Sequence, residues 1–199
     1  MGTHIVLFLK PTNNINFNKL ATDMYNNYKE LGHGICIEKE VNRVNEPNII
    51  FNSNNELLVD INYHHIALNI YGEYIKIKED IMEMLWDAFD LNDLEFAKIG
   101  YRRGLTLPIA NALKFKNDYF KNPEALQTEE FEFSYHTNIN FNQIELICWK
   151  NFTNFRNEQF IISYDISNKD DANVTYKYTK DFLNYSDNYI DNEIKKMEE

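Results

Sequence analysis

Four groups of residues in this chain have types and spacings that could do chemistry. Glu38-Lys39-Glu40, with Asp60 in a separate segment, imitates the carboxylate–lysine set with which a metal-dependent nuclease or hydrolase holds Mg²⁺ and orients a water. In a chain with 31 acidic residues such a grouping arises cheaply, and a solvated polar face is the better account of it. His64-His65 invites a metal reading, but neighbouring side chains in a strand point to opposite faces and in a turn diverge. No HxH, HxxxH, CxxC or HExxH spacing occurs. Cys36 and Cys148 would need a histidine base to act as nucleophiles. His33 is near Cys36 in sequence, but Gly34 and the strand direction separate them, so both cysteines read as small core residues. GxSxG, GxxxxGK[ST] and GxGxxG are absent, and with only 6 glycines a phosphate cradle is nearly excluded. No cofactor and no metal site is expected.

The fourth group is the run Lys98-Ile99-Gly100-Tyr101-Arg102-Arg103. In a strand, Arg102 and Arg103 fall on opposite faces, so one of them must turn toward the core and find a carboxylate or a ligand there. Structural pairing is the simpler use; Arg102 is the single residue most suited to binding, with Arg103 and Tyr101 beside it. Two acidic clusters, Glu129, Glu130 and Glu132, and Asp165, Asp170 and Asp171, are candidates for meeting a partner's Lys and Arg side chains.

Composition bears on these choices. Over 199 residues, 20 Lys+Arg against 31 Asp+Glu give a net charge of −11, which argues against direct nucleic-acid binding, since that depends on basic side chains displacing counterions. The 14 Phe and 13 Tyr argue against intrinsic disorder. Abundant Asn, Ile, Lys and Tyr, all with AT-rich codons, report genome composition. No apolar run approaches the ~18–20 residues of a membrane span. Ile5–Leu9 is too short for a signal-peptide core, and the two distant cysteines give no disulfide framework, so a cytoplasmic location is expected.

Hydrophobic periodicity supplies the elements that must position these residues. Ile5–Leu9 is a continuous apolar run, expected as a strand buried on both faces; Leu20, Met24, Tyr28 and Leu31 have helical spacing. Strands follow around Ile35–Val41 and Ile49–Phe51. Leu57, Val59 and Ile61 are out of phase with Ile66, Leu68 and Ile70, which predicts a hairpin turn at Asn62-Tyr63-His64. Ile77, Ile81, Leu85 and Phe89 mark a helix with Trp86 beside the stripe, and Phe96–Leu107 a strand. Residues 108–128 read as a helical or irregular connector. Alternation in Phe131–Ile139, Ile144–Phe152 and Gln159–Ile166 predicts three more strands, and Tyr178, Phe182, Tyr185, Tyr189 and Met197 a long last helix whose aromatics serve as core or as an interface. The order β-α-β-β-β-β-α-β followed by β-β-β-α is an α+β class with mainly antiparallel sheets and helices on one face. It divides into an N-terminal α+β module (1–107), the connector (108–128) and a C-terminal β-meander with a long helix (129–199).

Three segments carry a resemblance: Leu57–Phe89, the strand Phe96-Ala97-Lys98-Ile99-Gly100-Tyr101-Arg102, and Phe160-Ile161-Ile162-Ser163-Tyr164-Asp165-Ile166 with the C-terminal helix. Together these resemble a sporadically distributed bacterial family of conserved hypothetical, two-part α+β proteins of unknown function, over about half the chain. The chain departs from that family at Gly104-Leu105, where an Asn is usual, and in a last helix poorer in His and Trp. The resemblance implies the two-part layout and no activity. The functional expectation is a non-enzymatic, acidic protein-binding protein whose partner has a basic surface, an inhibitor or accessory of a nucleic-acid-processing complex carried by a phage or mobile element. The alternatives are a metal-dependent nuclease or hydrolase, or an RNA- or small-ligand-binding module using Lys98–Arg103.

Overall fold

The structure is a computed structural model that describes residues 2–29, 35–41, 47–53, 57–71, 79–107, 131–155 and 159–198. Strands β1 (Thr3–Leu9), β2 (Ile35–Val41), β3 (Pro47–Ser53), β4 (Leu57–Ile61), β5 (His65–Ile70), β6 (Phe96–Leu107), β7 (Phe131–Phe141), β8 (Ile144–Phe155) and β9 (Gln159–Asn168) form one sheet, in the order β2-β3-β4-β5-β1-β6-β9-β8-β7. Every neighbouring pair is antiparallel. The two sequence parts thus contribute six and three strands to one hydrogen-bonded sheet, joined where β6 pairs with β9. The connector 108–128 lies outside the described residues.

Helices α1 (Phe17–Lys29), α2 (Glu79–Asp90) and α3 (Tyr176–Glu198) cover one face of the sheet. Each starts or stops for a local reason. Asn16 Oδ1 accepts the Lys19 amide at 3.1 Å and Thr175 Oγ1 accepts that of Tyr178 at 3.2 Å, so both side chains act as N-caps. Asp93, with φ 53°, turns the chain out of α2 in the left-handed region. The hairpin at Asn62 forms as the phase change predicts, with Asn62 Oδ1 accepting the amides of His64 (2.8 Å) and His65 (3.0 Å). Between β7 and β8 a two-residue turn has both central residues at positive φ, Asn142 at 48° and Gln143 at 68°, which matches the twist of a hairpin.

Period 2 then decides what is inside. Ile5, Leu7, Ile99, Tyr101, Cys148, Phe152, Ile162, Tyr164 and Ile166 point under the helices and meet Leu20, Met24, Leu85, Phe89, Phe182 and Ile190 in a single core. The expectation that Ile5–Leu9 is buried on both faces is corrected here: Val6 is half-buried and Phe8 is exposed, because among the described residues no element packs over the opposite face of β1. Tyr178, Phe182, Tyr185 and Tyr189 join that core; Tyr178 stacks on Phe182, and Phe141 contacts Tyr178, Phe182 and Tyr185.

Candidate functional site

Alternation along β6 sends Arg102 and Arg103 to opposite faces, as adjacent strand residues must go. Arg103 turns under α3, where only 8% of it is exposed; its Nη1 donates to Asp191 at 2.9 Å and reaches Asp187 at 3.4 Å. Tyr101, also inward, donates its hydroxyl to Asp187 at 2.5 Å. Two strands away Lys150 makes a second bridge to the helix through Glu193, which also accepts from Lys196 at 2.9 Å. The Lys150 ammonium lies 5.6–5.9 Å from the ring centres of Tyr135, Tyr164 and Tyr189. Burial is the largest single influence and works against the Lys150 charge, but the bond to Glu193 together with the charge interactions of Tyr135, Tyr189 and Glu193 outweighs it and raises the ammonium's pKa. Burial likewise opposes ionisation of Glu193, and the bonds from Lys150 and Lys196 override it and hold the carboxyl below its ordinary value. These charged groups fasten α3 to the sheet. Beside them Cys148 is a buried thiol pushed up to about 11, chiefly by burial, which is the opposite of what a nucleophile needs.

The opposite face of β1, β6, β9 and β8 carries no helix among the described residues. Cross-strand register aligns His4, Arg102, Asp165, Trp149 and His136 in one row across it, and Val6, Gly100, Ser167, Ile147 and Asn138 in the next. Arg102 forks onto Asp165 through Nε and Nη2, and Asn151 Nδ2 adds a third donor to that carboxylate at 2.9 Å. The hydrogen bond to Asp165 raises the Arg102 pKa. His4 is driven toward its neutral form, first by burial and then by the Arg102 charge. Gly100 leaves a dip between Phe8 and Ser167, and a groove of about 300 Å³ runs over it past His4 and the Arg102–Asp165 pair. Phe8 (42% exposed) and Trp149 (43%) stand as aromatic walls on this face, Trp149 with its ring 4.7 Å from that of His136.

The other residues singled out in the sequence do not converge with this site. Glu132 is exposed near the start of β7; through β8 its register leads to Ile161, near the opposite end of β9 from Asp170 and Asp171. From Ile161 to Asn168 alone is roughly 23 Å of strand. Asp171 lies 3.6 Å from Lys98, and Asp165 is taken by Arg102. Glu129, Glu130 and His33 fall outside the described residues. His65 Nε2 lies 3.2 Å from Asn62 Nδ2, and His64 is exposed at the hairpin tip. Among the described residues no group of three His, Cys, Asp or Glu is placed to hold a metal ion.

An acidic surface that the clusters above do not include lies on and just after α2, where Glu83, Asp87, Asp90 and Asp93 are exposed and form no ion pair with a described Lys or Arg. Burial and the neighbouring Asp87 raise the Asp90 pKa. Carboxylates in a helix's last turn oppose the macrodipole, and α2 has no basic residue there to offset them. The signal was present in the sequence: Glu79 to Glu95 holds seven acids and no Lys or Arg.

No family model matches the chain, and no curated protein is detectably similar to it. Among the described residues no helix is long and apolar enough to cross a membrane.

Proposed function

We propose that this chain is a non-enzymatic, cytoplasmic protein-binding protein that docks a partner with a basic surface on its helix-free sheet face, as an inhibitor or accessory of a nucleic-acid-processing complex of phage or mobile-element origin. The observation that supports this most is the make-up of that face. Phe8 and Trp149 are exposed around an Arg102–Asp165 pair whose charges cancel, so the face offers aromatic and guanidinium contact area, the chemistry of interface hot spots, without an activated group. The exposed acids Glu83, Asp87, Asp90 and Asp93 and the net charge of −11 supply the long-range field that would steer a basic partner. The test is capture from nuclease-treated host lysate on the tagged chain. The expected result is a stoichiometric protein that leaves at high salt and is retained about tenfold less by Phe8→Ala/Trp149→Ala. A captured protein indifferent to both salt and these substitutions would remove the reading.

A nuclease or hydrolase remains the second reading because of one register: Glu38 pairs with Ile50 and Ile50 with Asp60, which aligns the two acids in one row, and Asp60 Oδ1 is buried with no hydrogen-bond partner among the described residues. It predicts that millimolar Mg²⁺ or Mn²⁺ raises the melting temperature, and an unmoved transition discards it. An RNA- or small-ligand-binding role would instead use the groove over Gly100, and it predicts that capture fails once nuclease is added or that no protein is captured.

A further inference from the structure

The sheet ends in two edges of different character. β2 has seven residues, Ile35–Val41, and carries Glu38, Lys39 and Glu40, the charges with which natural edges are blunted. β7 has eleven residues, Phe-Glu-Phe-Ser-Tyr-His-Thr-Asn-Ile-Asn-Phe, with no Lys, Arg or Pro. Its register with β8 runs unbroken from Phe131↔Asn154 to Phe141↔Ile144, so no bulge twists it away from solvent. Among the described residues no strand pairs with its outer side.

We infer that the β7 edge pairs with the β7 edge of a second copy, antiparallel and two-fold about His136. That register sets Phe131 opposite Phe141, Phe133 opposite Ile139 and Tyr135 opposite Thr137, with Tyr135, Thr137, Ile139 and Phe141 on the helix-bearing side. On the open side Glu132 meets Asn140, Ser134 meets Asn138, and His136 meets its own copy. No carboxylate is set against another, and the one carboxylate of the strand faces an amide. Charge decides the occupant: a strand with one acid in eleven residues offers little to a basic partner, whereas it is a long segment on which two chains of charge −11 can approach without opposed carboxylates. Pairing would make the two open faces continuous, with Trp149 of each copy one strand from the axis.

The test is sedimentation of the full-length chain over a concentration series at low and high salt. A dimer is expected that tightens with salt, because the two copies repel electrostatically; this is the opposite sign from capture of a basic partner, so failure of either reading is told apart from failure of the other. Ser134→Lys/Asn138→Lys opposes lysines twice in the two-fold register and is expected to weaken the dimer by about tenfold or more. Ser134→Lys/Asn138→Glu sets each lysine against a glutamate of the other copy and is expected to dimerise like the unmodified chain. Both positions are exposed, so the melting temperature should not change and separates dimer loss from misfolding. A chain that is monomeric at every concentration, a dimer indifferent to the paired lysines, or a monomer whose β7 edge instead binds a different protein would each overturn the assignment.

Discussion

The two faces of the sheet use the same pair of side-chain types to opposite ends. On the helix-bearing face the Arg103 side chain, with little access to water, meets a mostly buried Asp187 and a half-exposed Asp191; one residue earlier, on the open face, Arg102 meets Asp165 with more than half of its side chain exposed. The inner pairs hold α3 in place, because removing the cation strands carboxylates where water cannot fully solvate them. The outer pair is free to rearrange or to be covered by a partner at little cost. The distinction follows from period 2 and from the position of the helix alone.

The largest losses of stability are expected when the inner cations are removed. Lys150→Ala leaves Glu193 mostly buried without its main partner and opens the space between three tyrosine rings; a loss of about 3 kcal/mol is expected, read as a lower urea midpoint at constant slope. Arg103→Ala should lose somewhat less, about 2 kcal/mol, because Asp191 is half-exposed and can be hydrated. Arg102→Ala should change stability by less than about 1 kcal/mol in the same experiment. Equal losses at Arg102 and Arg103 would end the distinction.

Acid titration sharpens it further. The depressed Glu193 pKa contributes stability that is present above the ordinary carboxylate range and lost as pH falls through the folded value. His4 on the open face is also depressed, but for a base this means that the unfolded chain takes up the proton first. Stability is therefore full at neutral pH and begins to fall as pH drops below ~6.5. His4→Gln should flatten the curve in that upper window only, and Glu193→Gln in the lower one, a smaller effect than any of the losses at Lys150 and Arg103.

Much of the sheet was legible because its strands alternate cleanly: the Phe96–Leu107 strand, the phase change at Asn62 and the opposite faces of Arg102 and Arg103 all follow from the spacing of apolar residues. What could not be read locally was which strand neighbours which. That β1 sits between β5 and β6, and that β6 meets β9, depends on contacts between residues more than fifty positions apart. The same limit explains the candidate site. Arg102 and Asp165 were both singled out in the sequence, but only the β6–β9 register makes them partners. Asp187 and Asp191 gave no signal, because an acidic residue on a polar-looking turn of α3 is indistinguishable from a solvated one until the arginine beneath it is known. The run Ile5–Leu9 misled for a related reason, since an apolar residue such as Phe8 does not reveal whether anything covers it.

If a protein partner docks on the helix-free face, it must cover the aromatic side chains there and leave those of α1 open to solvent. Hydroxyl-radical footprinting of the chain with and without its captured partner tests it most directly, because Phe8 and Trp149 on that face and Tyr25 on α1 are comparably exposed in the free chain. Docking on the open face should suppress oxidation of Trp149 and Phe8 and leave Tyr25 reactive. Protection of Tyr25 with Trp149 and Phe8 unchanged would contradict it.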